Sequence, residues 1–421
     1  MQKIFALVDC NSFFCSCERL FRPDLAQRPV GVLSNNDGCF VSRTNELKEL
    51  GVPMGAPYFQ VKDICRRNNV AVFSSNFSLY TNMSDRVMCT LSEFTPTIEV
   101  YSVDEAFLDL TGFQNLESYA RKIKAQVERH TGIPVSVGIA PTKTLAKIAN
   151  HIAKKSQKAQ GVVSLIDPHL QSLALERVQV EDIWGIGRAN SQKLRQLGLK
   201  TAKDFRDYQN HRQIQKLMTK VGLQTKEELA GLPRFELNIV GVAKKEIMSS
   251  RSFGQSVRDL SDLRQAVAQY ASKACEKLRK QQSVCRSLDV YARTSPFANT
   301  PYYSALESAQ LLSPTSDTRK IVRYALQSLE SLYRAGYDYK KAGIRLHDIS
   351  PQREAQMSLL EPADDLRSEA LMKCMDQINQ RDGAGTILVA ACGVNSVKWQ
   401  MNRNHHSPRY MTGWSELRKV Y

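Results

Sequence analysis

The sequence predicts an α/β first half, a middle segment of short helices and an α+β domain after it. In the first half, short apolar runs typical of strands alternate with amphipathic helices, which is the pattern of an α/β domain. After Ala243 the predicted order is strand, helix, strand, strand, helix, strand, the split β-α-β-β-α-β arrangement. At 421 residues the chain is long enough for several domains.

The individual elements follow from hydrophobic periodicity and from turn residues. In the first half they are strands 4–8 and 29–33, turn 35–38, strand 39–42, helices 44–50 and 78–94, an extended stretch 101–109, helix 116–127, strand 135–140 and helix 142–155. Short helices are predicted within 170–233. The later elements are strand 246–253, helix 261–280, strands 285–294 and 305–312, helix 316–335, strand 341–349 and a small strand-like patch at 386–392.

The charge balance indicates a polyanionic partner. Lysine and arginine number 58 against 42 aspartate and glutamate residues, a net charge of +16 with an isoelectric point near 9.4. An anionic membrane is the competing partner, but the excess charge is spread along the chain. No apolar run approaches the roughly 18 residues of a spanning helix, and no signal peptide is predicted. Scattered single cysteines without metal spacing are typical of a reducing cytoplasm.

The extended stretch 101–109 carries two adjacent carboxylates, Asp104 and Glu105, among apolar residues. Because buried unpaired charge is costly, either the chain turns here and the carboxylates are solvated, or they hold a cation. Neighbouring residues of a strand point to opposite faces. Both carboxylates can therefore serve one site only if a turn or bulge lies between them.

A third carboxylate, Asp9, ends the first predicted strand, where a turn or helix-capping role is the alternative. Adjacent strands can bring Asp9 together with Asp104 and Glu105. Three carboxylates at one spot raise each other's pKa unless a cation lies among them, and hard oxygen ligands suit Mg²⁺. Two such ions about 3.5–4 Å apart stabilise the attacking and leaving oxygens of a phosphoryl displacement. These residues predict an enzyme that joins or cuts phosphodiesters.

Two features of the later sequence favour DNA binding. The apolar-glycine turn around Gly185 and Gly187 presents backbone N–H groups that can bind phosphate; a tight turn without a ligand is the alternative. Basic residues recur along the later strands: Lys244, Lys245, Arg251, Arg286, Arg293, Lys340, Lys341 and Arg345. A solvated sheet face explains single cases, but their number favours tracking along a nucleic acid backbone.

Three motifs resemble the Y-family translesion DNA polymerases in order and spacing. They are Asp9-Cys-Asn-Ser-Phe-Phe-Cys-Ser-Cys-Glu18, Tyr101-Ser-Val-Asp-Glu-Ala-Phe-Leu-Asp109 and Gly138-Ile-Ala-Pro-Thr-Lys-Thr-Leu-Ala-Lys147. The glycine turn resembles the helix-hairpin-helix of DNA repair and replication proteins, with Trp184 where proline is common. Segments 34–38, 251–254, 294–297 and 407–410 are similar to the UmuC type within the family.

The resemblance implies a right-hand-like polymerase fold with several domains. They are a palm at 1–12 and 81–168, fingers at 13–80, a helix-hairpin-helix thumb at 169–235, a linker at 236–243, a split β-α-β-β-α-β little finger at 244–350 and a clamp- and partner-binding tail at 351–421.

The resemblance also implies residue roles. Asp9, Asp104 and Glu105 are the implied catalytic carboxylates, which bind two Mg²⁺ ions together with the Cys10 carbonyl. Phe14 lies under the incoming sugar and leaves no room for a 2′-hydroxyl. The implied nucleotide contacts are Phe13, Phe14, Asn45, Lys48 and Lys154; Asn45 and Lys48 stand where the family usually has tyrosine and arginine. The implied DNA contacts are Gly185, Gly187, Lys244, Arg251, Arg286, Arg293 and Lys341. Gln356, Met357, Ser358, Leu359 and Leu360 resemble a sliding-clamp peptide, with Leu360 in place of the usual aromatic residue.

The implied activity is error-prone translesion synthesis in the SOS response, as the catalytic subunit of DNA polymerase V. Primer-template DNA and deoxynucleoside triphosphates are the implied substrates, and a UmuD′ dimer, RecA and the sliding clamp are the implied partners. We expect a cytoplasmic protein that is nucleoid-associated when active. A two-metal structure-specific DNA nuclease is one alternative, although a nuclease has no need of the aromatic pair after Asp9. A non-catalytic DNA-damage scaffold is another, although all three carboxylates are present.

Overall fold

The computed structural model describes residues 2–239, 241, 243–354, 356, 366–393, 399–411 and 413–416. The chain divides into two compact units: a first unit, Met1–Gly241 with His405–Tyr421, and a second unit, Val242–Asn404. Among the described residues, none of the helices combines the length and apolarity needed to cross a membrane.

The first unit contains eight strands and ten helices among its described residues. The strands are β1 (Phe5–Cys10), β2 (Val30–Leu33), β3 (Phe40–Arg43), β4 (Ala71–Ser74), β5 (Ile98–Val100), β6 (Glu105–Asp109), β7 (Val135–Ala140) and β8 (Val162–Ser164). The helices are α1 (Phe13–Leu20), α2 (Asn45–Glu49), α3 (Tyr58–Arg67), α4 (Phe77–Ser92), α5 (Leu116–Thr131), α6 (Lys143–Lys155), α7 (Pro168–Arg177), α8 (Arg188–Gln196), α9 (Ala202–Asp207) and α10 (His211–Leu229).

The main sheet of the first unit has the strand order β5-β6-β1-β7-β8 and is covered on both faces. Ala6 and Val8 pack in one core with α4 and α5, while Phe5 and Leu7 pack in another with α6. A strand buried on both faces has to be a continuous apolar run, as β1 is. Asp9 is in phase with Phe5 and Leu7, so its side chain lies on the α6 face.

Helix α6 packs unusually closely on β7 because Gly138 has no side chain. A Cβ at Gly138 would lie 2.2 Å from the backbone nitrogen of Asn150 and 2.4 Å from the carbonyl oxygen of Ala146. Asn150 Nδ2 donates hydrogen bonds to the carbonyl oxygens of Leu7, at 3.2 Å, and of Ser136, at 2.7 Å. These contacts fix the position of α6 over β1 and β7.

A smaller sheet, β3-β2-β4, lies between α1 and α4 in the sequence, with β2 and β3 antiparallel and β2 and β4 parallel. The predicted strands 29–33 and 39–42 and helix 44–50 are confirmed as β2, β3 and α2. The sequence analysis predicted neither α3 nor β4.

The second unit contains β9 (Ile247–Val257), α11 (Leu260–Lys280), β10 (Ser283–Thr294), β11 (Ser304–Thr315), α12 (Thr318–Leu332), β12 (Tyr339–Pro351) and α13 (Leu366–Arg381). Its antiparallel sheet has the order β11-β10-β12-β9, with α11 and α12 packed on one core. The predicted β-α-β-β-α-β order is confirmed.

The region after β12 differs from the expectation. Helix α13 was not predicted, and the predicted strand at 386–392 is wrong, since residues 390–392 form a 3-10 turn. The reason lies in Asn379 at the end of α13. Its side-chain amide donates to the carbonyl oxygen of Ile387 at 3.0 Å and accepts from the Ile387 N–H at 2.9 Å, which replaces a strand partner.

Candidate active site

The three predicted carboxylates meet at one end of the main sheet. Asp9, in β1, lies directly opposite Glu105, the first residue of β6. The backbone N–H of Cys10 donates to the carbonyl oxygen of Asp104 at 2.8 Å. Since residues directly opposite in an antiparallel pair share a face, Asp9 and Glu105 both lie toward α6.

The sequence analysis required a turn or bulge between Asp104 and Glu105; the structure has a turn that ends at Asp104, directly before the strand residue Glu105. Strands β5 and β6 form a hairpin, and the N–H groups of Tyr101 and Ser102 both donate to the carbonyl oxygen of Glu105, at 3.0 and 3.1 Å. Asp104 is the last loop residue, and the Ser102 hydroxyl donates to its Oδ1 at 2.5 Å. Because Asp104 lies in the turn, its side chain does not follow the alternation of side chains along β6. The hydrogen bond from Ser102 orients its carboxylate instead.

Asp9 is the most buried of the three carboxylates, with 6% of its surface exposed. Burial raises the pKa of Asp9 to about 7, although the Lys154 ammonium acts in the opposite direction, and Glu105 and Asp104 raise the pKa further. Gathering these like charges is unfavourable, and a cation placed among them relieves the repulsion.

Helix α6 supplies lysines to this edge of the sheet along one stripe. Lys143, Lys147 and Lys154 are spaced by four and then seven residues, which places them on the same helix face. Their ammonium nitrogens lie 2.6 Å from Glu99 Oε2, 2.5 Å from Glu105 Oε2 and 2.6 Å from Asp9 Oδ2, respectively. Each acid on this face is thus held by its own lysine.

The present hydrogen-bond and ion-pair partners of the three carboxylates bear on whether the site can hold a metal ion. Across the described ranges, no group of three or more His, Cys, Asp or Glu side chains is placed to hold a metal ion. Asp9 and Glu105 are held by lysines, and Asp104 is held by Ser102. The carboxylate oxygens fit Mg²⁺ by their chemistry, whereas metal binding requires these side chains to rotate away from their present partners.

Phe14 lies in an aromatic stack beside this sheet edge. Its half-buried ring stacks on Tyr80, with the centroids 4.4 Å apart and the planes at 13°, and meets Phe77 edge-on at 6.1 Å. Phe13, the other aromatic residue predicted to contact the nucleotide, is only 3% exposed and packs in the core. We therefore correct its role to packing.

The predicted phosphate contacts near α2 form a cationic group. Lys48 Nζ donates to Asn45 Oδ1 at 2.9 Å. The pKa of Lys48 is lowered mainly by burial and further by the positive charges of Arg43 and Lys154. Because these three cations repel one another, the group is suited to an anion that lies between them.

The glycine turn contacts the carboxylate hairpin through Trp184. Gly185 has φ of +84°, which a residue with a Cβ rarely adopts, and Gly187 caps α8. Trp184 Nε1 donates to the Tyr101 hydroxyl at 3.0 Å, and their rings meet edge-on at 5.6 Å. The sequence analysis missed this contact, although both aromatic residues were visible in the motifs.

The predicted basic residues of the second unit do not all share one surface. Arg293 and Lys341 lie directly opposite each other in β10 and β12, Arg286 is exposed at a β-bulge, and Lys244 is exposed before β9. Arg251 instead pairs with the core residue Ala342 and is in phase with Ile247 and Phe253. Its charge acts on Tyr270 and Lys273 of α11, so Arg251 lies on the helix face of the sheet.

The predicted clamp peptide is almost wholly outside the described residues. Gln356 is described and exposed, while Met357, Ser358, Leu359 and Leu360 lie outside the described part of the chain.

Comparison with known families matches three parts of the chain. The model of the impB/mucB/samB family matches residues 8–151, the model of its C-terminal domain matches 244–359, and a domain of unknown function (DUF4113) matches 369–420. Protein UmuC of Salmonella typhimurium is 47% identical over 99% of this chain and 100% of that protein, and protein SamB of the same organism is 42% identical over 98% and 99%. DNA polymerase IV of Clostridium acetobutylicum is 25% identical over 92% and 98%.

Solved structures agree on the fold. A Y-family DNA polymerase chimera built from Dbh and Dpo4 has a TM-score of 0.65 at 24% identity, covering 82% of this chain and 99% of that one. The insertion ternary complex of Dbh DNA polymerase has a TM-score of 0.54 at the same coverage and identity. The chain has the fold and the relatives of a Y-family DNA-directed DNA polymerase. Within that class it belongs to the impB/mucB/samB family of error-prone translesion polymerases, of the UmuC type. The predicted family, fold and activity are confirmed, and neither alternative is favoured.

Proposed function

We propose that the chain adds deoxynucleotides to a primer opposite damaged template by two-metal nucleotidyl transfer, with Asp9, Asp104, Glu105 and the Cys10 carbonyl as the ligands of two Mg²⁺ ions. The observation that supports this is the register of the main sheet. It sets Asp9 opposite Glu105 and ties Cys10 to Asp104 by a backbone hydrogen bond, so the carboxylates of two adjacent strands and of the loop residue before β6 lie at one sheet end.

The domain assignment follows the same proposal. We assign the palm to 1–12 and 81–168, the fingers to 13–80, the thumb to 169–235, the linker to 236–243, the little finger to 244–350 and the partner-binding tail to 351–421. The five-stranded sheet with the carboxylates then belongs to the palm, and the cationic group around Lys48 belongs to the fingers.

In the proposed reaction, the primer 3′-oxygen bonds to the α-phosphorus of the nucleotide as the bond from that phosphorus to the pyrophosphate oxygen breaks. The hydroxyl proton passes to solvent. Bound Mg²⁺ ions supply charge stabilisation for the attacking and leaving oxygens. Asp9 and Glu105 would hold the metals in place of their present ion pairs with Lys154 and Lys147. Lys154 is then free to meet the triphosphate together with Lys48 and Arg43, and Asn45 holds the Lys48 ammonium in position.

Sugar selection is assigned to Phe14, whose half-buried ring stacks on Tyr80 and meets Phe77 edge-on. A planar ring fixed by two aromatic neighbours leaves no space for a ribose 2′-hydroxyl at the position of the incoming sugar.

DNA contacts are assigned to the glycine turn and to the open sheet face of the second unit. Gly185 and Gly187 offer backbone N–H groups, and Arg293 and Lys341 offer paired positive charges for the phosphate backbone. Arg286 and Lys244 are exposed and join this set. The partners we propose are a UmuD′ dimer, RecA and a sliding clamp at 356–360, and a cytoplasmic, nucleoid-associated location follows from them.

The test is primer extension on an abasic template with Mg²⁺, comparing Asp104→Asn with Asp109→Asn. Loss of one metal-binding carboxylate is expected to lower kcat at least about 1000-fold, because metal stabilisation of the transition state is worth several kcal/mol. Asp109 is the last residue of β6 and lies opposite Phe5, at the other end of the strand from Glu105, where it accepts a hydrogen bond from the Thr111 N–H at 2.8 Å. Its variant is expected to retain activity. Extension by Asp104→Asn at the wild-type rate, or template cleavage in place of extension, would contradict the proposal.

A further inference from the structure

The motif Ser407-Pro-Arg-Tyr410, which the proposed function does not use, is packed into the first unit. The His405 N–H donates to Ser74 Oγ at 3.0 Å, and the Ser74 N–H donates to the His405 carbonyl oxygen at 2.9 Å. Tyr410 stacks on Phe21 with the ring centroids 4.6 Å apart. Ser407 is 2% exposed and Tyr410 is 8% exposed. Residues 405–410, the docked segment, are therefore a built part of this unit.

The docked segment reaches a buried acid, Glu18 of α1. Ser407 Oγ donates to Glu18 Oε1 at 3.1 Å and accepts from Asn76 Nδ2 at 3.0 Å. The Tyr80 hydroxyl donates to the same Glu18 oxygen at 2.7 Å. Glu18 is fully buried, and among the described residues its Oε2 has no hydrogen-bond partner. A buried carboxyl group with one unpaired oxygen lowers stability, so the stability of the fold does not account for a glutamate at this position.

Tyr80 connects this network to the aromatic stack. Its ring is 1% exposed and lies parallel to that of Phe14, with the centroids 4.4 Å apart. The hydroxyl bond to Glu18 restrains the orientation of Tyr80, and the stacked contact passes that restraint to Phe14. Ser407, Glu18, Tyr80 and Phe14 form a continuous line of contacts from the C-terminal segment to the nucleotide site.

We propose that Glu18 and Ser407 are positioning residues for Phe14: the docked segment holds Tyr80 against Phe14 and thereby sets how strictly the site excludes ribonucleotides. This inference rests on the proposed role of Phe14 in sugar selection. It gives the Ser407 motif a role in nucleotide choice that acts on Phe14 through Glu18 and Tyr80, since Ser407 does not contact Phe14 directly. Anything that displaces residues 405–410 will then change the sugar selectivity of the polymerase.

The test uses the full-length chain with Tyr80→Phe and, separately, Ser407→Ala, each of which removes a single oxygen atom. The kcat and KM for a deoxynucleotide and for its ribonucleotide are measured by primer extension. We expect the selectivity ratio of kcat/KM to fall about fivefold in both variants, the size expected for one buried hydrogen bond, with kcat for the deoxynucleotide nearly unchanged. Glu18→Gln, which keeps the acceptor oxygen, is expected to retain the wild-type ratio, and Glu18→Ala is expected to lose it.

The matched control is Tyr119→Phe. Its hydroxyl donates to the Phe94 carbonyl oxygen at 2.7 Å in the same unit, away from Phe14, so the variant should keep the wild-type ratio. Phe14→Ala is measured alongside. If Phe14→Ala leaves sugar selection unchanged, the proposed function of Phe14 fails. If Phe14→Ala admits ribonucleotides while either Tyr80→Phe or Ser407→Ala keeps the wild-type ratio, the positioning inference alone is overturned.

Discussion

Two sites of this polymerase, one in each unit, place charge in opposite ways. At the site under α6 in the first unit, three buried or half-buried carboxylates lie between α6 and the main sheet, and each is paired with one lysine. In the second unit, Arg293 and Lys341 stand opposite each other on a sheet face, a pair of like charges with no acid between them in the strand register. The carboxylates proposed to take part in chemistry are held in a fixed geometry by ion pairs, whereas the cations proposed to contact the DNA backbone have no acid opposite them in the strand register.

This difference shows that the contribution of a charged residue to stability depends on whether the residue and its partner are buried or exposed. Buried pairs are weak contributors when compared with apolar replacements but are expensive to break. Exposed pairs and exposed cations contribute little to stability and act mainly on association with other charged molecules.

The largest expected effect comes from breaking the most buried pair. Lys143 and Glu99 side chains are 4% and 9% exposed, so Lys143→Met leaves an uncompensated acid and should lower the free energy of unfolding by about 3–5 kcal/mol. Arg258→Met, which breaks the exposed pair with Asp338 in the second unit, should lower the free energy of unfolding far less, because solvent screens an exposed ion pair. Chemical denaturation measures both. Equal losses would remove the distinction between the units.

Two buried acids, Glu18 in the first unit and Asp289 in the second, should contribute to the pH dependence of unfolding with opposite signs. Burial raises the pKa of Glu18 to about 7 from 4.5, so its contribution to stability is fully present below pH 4.5 and is lost as pH rises through about 7. The groups that face Glu18 are Tyr80, Ser407 and Arg22, all of which act against burial. Between pH 5 and 8 the contribution should fall by about 2–3 kcal/mol, and Glu18→Gln should remove that slope.

Asp289 supplies the contrasting case in the second unit. Burial opposes ionisation, but hydrogen bonds from Ser308, Arg345 and His347 outweigh it and lower the pKa of Asp289 below its usual 3.8. Its contribution is present above pH 3.8 and is lost as pH falls through the lowered value. Asp289→Asn should therefore remove the part of the stability loss that occurs below pH 3.8; an unchanged loss in that acid range would contradict the contrast.

The smallest effect is expected on DNA affinity. Lys341→Gln should weaken primer-template binding a few-fold and reduce the slope of log affinity against log salt by about one, because one phosphate contact is lost. Arg251→Gln, on the helix face of the same sheet, should leave the salt slope unchanged. Fluorescence anisotropy titrations over a range of salt concentrations compare the two. A larger slope change for Arg251→Gln would show that the face assignment is wrong.

Much of the site could be predicted from the sequence, because its residues break local patterns. Asp9 stops an apolar run, and Asp104 and Glu105 interrupt another, so each stands out where burial is otherwise expected. The turn before Glu105 followed from strand alternation alone and is present.

Other features were not predictable because they depend on pairing between distant elements. Lys147 is visible as one member of a lysine stripe, but its partner Glu105 is fixed only by the position of α6 over the sheet. In the sequence, Glu18 cannot be distinguished from an exposed acid of an amphipathic helix. Only the structure shows that it is buried and bonded to Tyr80 and Ser407. Arg251 is different: its phase with Ile247 and Phe253 was readable, and the sequence analysis overlooked it.

The close contact at Gly138 sets the positions of all three lysines of α6 together. The backbone clearance between α6 and β7 is smaller than a methyl group, since a Cβ there would lie 2.2 Å from a backbone nitrogen. Any side chain at 138 would lift the whole helix, and the three lysine–carboxylate distances would lengthen together. The three ion pairs therefore do not change independently, because a single displacement of α6 changes all three distances. The positions of the lysines relative to the carboxylates are therefore set by the steric contact at Gly138 and not by the strength of any one ion pair.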